Sequence, residues 1–186
     1  APTDTRPVIV AFGDSLTAGH GVEPGQSYPD WLQKTLDAKW LNYRVVNQGI
    51  SGDTTSGGVE RIDAALSLKP KVVILELGAN DGLRGLPLEE TRRNLHEMTD
   101  AFQNAGVTVL LAGMTLPRNY GPDYIRDFEK IFSDLHNEKK APLIPFFLDG
   151  VATNPKLMQR DGLHPNAEGC RKVAENVFRH LEPLLK

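Results

Sequence analysis

Cys170 is the only cysteine in 186 residues, so the chain cannot close a disulfide on itself, and its cysteine usage says nothing about redox compartment. No apolar run approaches the roughly 18–20 residues that a membrane-spanning helix requires. The longest, VTVLLAGM from 107, has the length of a strand. A surplus of positive charge is also missing. Lys and Arg number 21 against 24 Asp and Glu, a net charge of -3 at pH 7, and NEKK at 137–140 is a solvated helix end and not a nucleic-acid footprint. Nucleic acid is therefore excluded as a partner class. No two of the five histidines stand at metal-ligand spacing, so neither a metal nor another cofactor is expected.

What the chain does contain is alternation. Five apolar runs rich in Val, Ile and Leu recur: PVIVAF (7–12), YRVVN (43–47), KVVILEL (71–77), VTVLLAG (107–113) and PLIPFFL (142–148). Helical periodicity fills the gaps, first through Tyr28, Trp31, Leu32 and Leu36, then through Val59, Ile62 and Leu66. It continues through Leu88, Leu95, Met98 and Phe102, through Tyr124, Phe128, Ile131 and Leu135, and through Ala167, Cys170, Ala174, Val177 and Leu181. Strands this apolar on both parities are buried on two faces, and strands separated by helices pair in parallel. The expected architecture is an α/β domain of three layers, α/β/α, occupying residues 1–186 without internal repeat or linker. Ligands of such a sheet bind at the carboxyl ends of its strands.

Four short segments fall at those ends or ahead of the last helix. GDSLT (13–17) follows the first run: Gly13 permits a tight turn, and Ser15 stands at the mouth of a helix, where a free N–H points outward. NQGISGDT (47–54) follows the second, with Gly52 able to offer an unobstructed N–H to an anion. GANDG (78–82), a glycine-bounded loop, follows the third and can aim the Asn80 amide above Ser15. DGLHP (161–165) precedes the last helix; Pro165 suits the first helical position and leaves His164 outside it, three residues from Asp161. Taken singly, these residues read as caps and turn formers; taken together, they supply a nucleophile, a base with an acid to orient it, and donors for an oxyanion. The other histidines, His20 in the first loop and His96, His136 and His180 in helical segments, read as solvated or packed residues.

With those four blocks in that order, the chain resembles the SGNH hydrolases, also called the GDSL esterase/lipase superfamily. LELGANDGLRGL (75–86) and LPRNYGPDYI (116–125) are most similar to its bacterial thioesterase I/protease I/lysophospholipase branch, which includes arylesterases. The resemblance implies a flavodoxin-like fold with a five-stranded parallel sheet and a triad of Ser15, Asp161 and His164. It also implies an oxyanion hole from the Ser15 and Gly52 N–H groups and the Asn80 side chain, and a cofactor-independent serine hydrolase acting on acyl esters, with thioesters and lysophospholipids as further substrates. Ser15 lacks the G-x-S-x-G setting of another esterase class, so a strained elbow is not expected.

The acyl chain is expected between GLRGLP (82–87) and MTLPRNY (114–120), against Leu83, Leu86, Met114, Leu116 and Tyr120. Two rival readings are a carbohydrate deacetylase with the same triad and a non-catalytic module that holds an anion at Gly13 to Ser15. The first residue is Ala1, which suits a chain after signal-peptide removal and a trimmed one equally; a periplasmic or secreted location is the expectation. Oligomeric state leaves no mark in the sequence.

Overall fold

A computed structural model describes residues 3–185. In chain order its elements are β1 (Val8–Gly13), α1 (Ser15–Ala18), α2 (Tyr28–Ala38), β2 (Arg44–Gly49), α3 (Thr55–Glu60), α4 (Ile62–Leu66), β3 (Val72–Glu76), α5 (Ala79–Leu83), α6 (Leu88–Asn104), β4 (Thr108–Ala112), α7 (Pro122–Lys139), β5 (Leu143–Ile144) and α8 (Ala167–Leu181). The five strands are all parallel, in the order β2-β1-β3-β4-β5. This is the flavodoxin-like arrangement, with the order reversing beside β1.

Every residue of β1 and β3 is buried, as their uninterrupted apolar runs require, whereas β2 lies at the edge and is mostly half-buried. Phe12 of β1 meets Phe102 of α6 edge to face at 5.6 Å, both without solvent exposure. Removing either ring would cost about 3–5 kcal/mol, the usual penalty for truncating a buried aromatic. Register sets up the site: Gly13 pairs with Gly49 of β2 on one side and Glu76 of β3 on the other, so three strands end level and release their loops together.

Four local expectations are corrected. The fifth apolar run forms only two paired residues, because Pro142 and Pro145 flank them and proline has no N–H for a ladder. The segment carrying Val59, Ile62 and Leu66 is two short helices broken at Arg61, whose side chain turns back to the strand ends. GANDG is not a loop: Gly78, at φ +120, turns the chain and α5 begins at once, with Asn80 in its first turn. Pro165 lies outside α8 in a bridge with Met158, and Asn166 caps the helix instead, its Oδ1 accepting from the Gly169 N–H at 2.9 Å.

Candidate active site

Ser15 opens α1, a single turn that Asp14 caps by accepting the Leu16 N–H at 2.9 Å. Gly13 serves this turn through close approach rather than backbone freedom. A Cβ there would lie 2.6 Å from Glu76 Oε1 and closer still to Thr17 Oγ1. Gly49 has the same role against the backbone of Ala18, where an added Cβ would sit 2.8 Å from the Cα. Gly52 alone of these three has a left-handed backbone, φ +83.

Ser15 Oγ lies 2.9 Å from Nε2 of His164, and His164 Nδ1 lies 2.5 Å from Asp161 Oδ2. A carboxylate can only accept, so Nδ1 carries the proton and Nε2 is left to accept from the serine hydroxyl. Asp161 Oδ1 also accepts the Leu163 and His164 N–H groups, at 2.9 and 3.0 Å. Partial desolvation pushes this carboxyl up, but the hydrogen bonds from His164 and Leu163 outweigh it and hold the group at about 2. Asp161 is thus a fixed negative charge under the imidazole across the neutral range.

Among the described residues, the N–H groups of Ser15 and Gly52 have no hydrogen-bond partner. The Asn80 side chain spends one amide hydrogen on the Asp53 carbonyl, 2.8 Å away, and keeps the other. Arg84 donates to the preceding carbonyl, that of Gly52, also at 2.8 Å, so the loop after β2 is laced to α5 twice. Arg61 fixes the same region from below, donating to Gly13 O at 2.8 Å and Gln48 O at 2.6 Å while pairing with Asp53 at 2.8 Å.

Beneath Ser15 two carboxyl groups meet without solvent. Glu76 is fully buried and Asp14 is 1% exposed; Thr17 Oγ1 and the Asp14 N–H both donate to Glu76 Oε1, at 2.8 and 3.3 Å. Burial raises both groups, and the adjacent Asp14 carboxylate raises Glu76 further. Glu76 Oε2 accepts from no donor, and the interaction between the two carboxyl groups raises Glu76 while lowering Asp14, so the proton of the pair sits on Glu76.

A cavity of about 400 Å³ opens beside Ser15 and His164. Of the residues expected against the acyl chain, Leu83, Met114 and Leu116 line this cavity, and Leu86 and Tyr120 do not. Tyr120 instead supports the wall, its hydroxyl donating to Leu83 O at 2.6 Å. A second part of the lining, Phe146, Leu148, Ala152, Met158 and Leu163, has no counterpart in the sequence reading of the pocket. It comes from the long segment between β5 and α8, whose apolar residues follow neither period. No group of three or more His, Cys, Asp or Glu among the described residues is arranged to hold a metal ion.

The GDSL-like Lipase/Acylhydrolase family matches residues 11–172. The chain is 42% identical to Esterase TesA of Pseudomonas aeruginosa over 95% of its own length and 89% of the relative's. It is 37% identical to Thioesterase 1/protease 1/lysophospholipase L1 of Escherichia coli, over 95% and 84%. Its fold superposes on the psychrotrophic esterase EstA from Pseudoalteromonas sp., in a structure inhibited by monoethylphosphonate, with a TM-score of 0.91, 34% identity and coverage of 96% and 98%.

Proposed function

The chain belongs to the GDSL-like lipase/acylhydrolase family, and from that premise we propose that Ser15 is its nucleophile, His164 its base and Asp161 the residue that orients the base. The protein is an SGNH-type carboxylic ester hydrolase. The observation that carries the assignment is the Ser15–His164–Asp161 hydrogen-bonded line, with the Ser15 N–H left free at its end.

Ser15 Oγ attacks the acyl carbonyl as His164 Nε2 takes its proton, and Asp161 stabilises the imidazolium that results. The oxyanion meets the two backbone N–H groups and the spare hydrogen of the Asn80 amide. His164 then protonates the departing alcohol or thiol, leaving an acyl-enzyme. Water, deprotonated by the same nitrogen, releases the acid.

The cavity supports a substrate class. Its walls are mostly aliphatic, and it opens directly beside Ser15, as a straight acyl chain requires. Esters, thioesters and lysophospholipids that share an acyl chain are all substrates in this reading. A panel of p-nitrophenyl esters and acyl-CoA thioesters, with Ser15→Ala as control, tests it. Hydrolysis should fall by about 10⁴–10⁶ in the variant, and a fluorophosphonate should label Ser15 alone. Labelling at another serine would remove the assignment.

A further inference from the structure

The chemistry above gives His20 no part, yet His20 is tied to both halves of the line that performs it. Its N–H donates to the carbonyl of Ser15 at 3.1 Å. Its own carbonyl accepts from Gln159 Nε2 at 2.8 Å, and the same amide nitrogen donates to Pro165 O at 2.8 Å. Gln159 also gives its backbone N–H to the carbonyl of His164 at 2.8 Å. The turn after α1 is therefore stapled to the segment that carries the base. Gly21 shows how tight the staple is: its φ is +79, and a Cβ there would collide with the Gln159 side chain.

This staple sets the His20 ring against the His164 ring, centroids 4.5 Å apart and planes tilted by 45°. His164 needs such support. Its segment is exposed from Asp161 through Leu163, and once the bond from Nε2 to the Ser15 hydroxyl is given up in the reaction, the remaining side-chain bond from Nδ1 to Asp161 leaves the ring free to swing about it. A swing of this kind carries Nε2 away from Ser15 Oγ. A second ring against one face removes part of that freedom.

We infer that His20 is a positioning residue whose ring backs the His164 imidazole and keeps Nε2 facing Ser15. What matters is the flat bulk of the ring, so phenylalanine should replace it. The inference rests on the roles of Ser15 and His164 proposed above.

The test compares the parent with His20→Ala and His20→Phe by ester turnover, by the rate of fluorophosphonate labelling at Ser15 and by Tm. His20→Ala should lower kcat and the labelling rate by about tenfold, the scale on which slight misplacement of a reacting group is felt, with KM and Tm unchanged. His20→Phe should recover most of both rates. Parent-level labelling and turnover in His20→Ala would overturn the inference while leaving the hydrolase assignment intact. So would a Phe variant as slow as the Ala variant, which would give the role to the ring nitrogens. A parent that fluorophosphonate does not label would overturn both. A KM rise at constant kcat would make His20 a substrate contact and end the positioning role.

Discussion

The hydroxyl of Ser15 and Nε2 of His164 stand 2.9 Å apart across 149 positions of sequence, and this geometry is useful only while Nδ1 holds its proton toward Asp161. Asp161→Asn presents an amide that can donate to Nδ1 and so favours the wrong tautomer. kcat should fall by about 10⁴, with the protein still folded and KM little changed. The sign of the pH effect follows from a depressed carboxyl. Its stabilising contribution is present above the ordinary value of 3.8 and is lost as pH falls toward about 2. A Tm series in acid should therefore fall less steeply for Asp161→Asn than for the parent, and an equally steep fall would remove the stabilising hydrogen bonds to Asp161 from the account.

Asn80 is half committed, with one amide hydrogen on Asp53 O and one left for the oxyanion role proposed for it. Asn80→Ala should lower kcat by about 10²–10³ with KM nearly constant, because the lost bond forms in the transition state. Arg84→Met should separate positioning from contact. It frees the Gly52 carbonyl but leaves all three proposed oxyanion donors in place, so its loss in kcat should be much smaller than that of Asn80→Ala. Equal losses in steady-state kinetics would mean that holding the loop, and not the Asn80 donor, accounts for the effect.

The sheet and the polar residues at its strand ends were legible because their signals are local. A strand's apolar run, the glycine that ends it and the polar residue after it lie within a few positions of each other. Glu76 had such a signal as well, a lone acid inside KVVILEL, where both faces are buried. Arg61 and Gln159 had none. Each is a polar residue in an unremarkable setting whose bonds reach 48 and 139 positions along the chain, to Gly13 and to His20. The fifth strand, expected longer than it is, has the opposite cause: its composition suits a sheet, but its prolines have no N–H to donate to a ladder. Half of the cavity wall stayed hidden because apolar side chains in an irregular segment lack any period to betray which way they face.

Glu76 and Asp14 make stability depend on pH in the alkaline direction. Burial raises the folded-state value of Glu76, so the folded chain holds a proton that the unfolded chain gives up near 4.5. The associated stability is complete below that value and is lost as pH rises, at about 1.4 kcal/mol per pH unit for one proton, until the folded group itself ionises. Glu76→Gln keeps an acceptor for Thr17 and a donor for Asp14 without the titration. Between pH 5 and 9 its Tm should decline less than the parent's, with activity retained at pH 7. Parallel Tm profiles would show that the pair does not hold the extra proton.

Filling of the cavity should be read out in acyl-chain length. Each methylene moved from water to an apolar wall contributes about 0.8 kcal/mol, an upper limit of roughly fourfold in kcat/KM per carbon. The rate should therefore climb with chain length and level off once the space of about 400 Å³ is full. Leu116 is a poor place to shorten it, because its methyls already lie within 2.8 to 3.0 Å of where a Cβ on Gly82 would be, so a larger side chain would disturb α5 and Asn80 with it. Ala152 is small and half-buried, and it lines the cavity from the segment between β5 and α8, which carries none of the proposed oxyanion donors. Ala152→Phe should shift the optimum to shorter acyl chains while acetyl esters react at the parent rate. Leu86 lies off the wall, and Leu86→Phe should keep the parent profile. If Leu86→Phe shortened the optimum and Ala152→Phe did not, the chain would run past the other side of α5, and the cavity would belong to the leaving group.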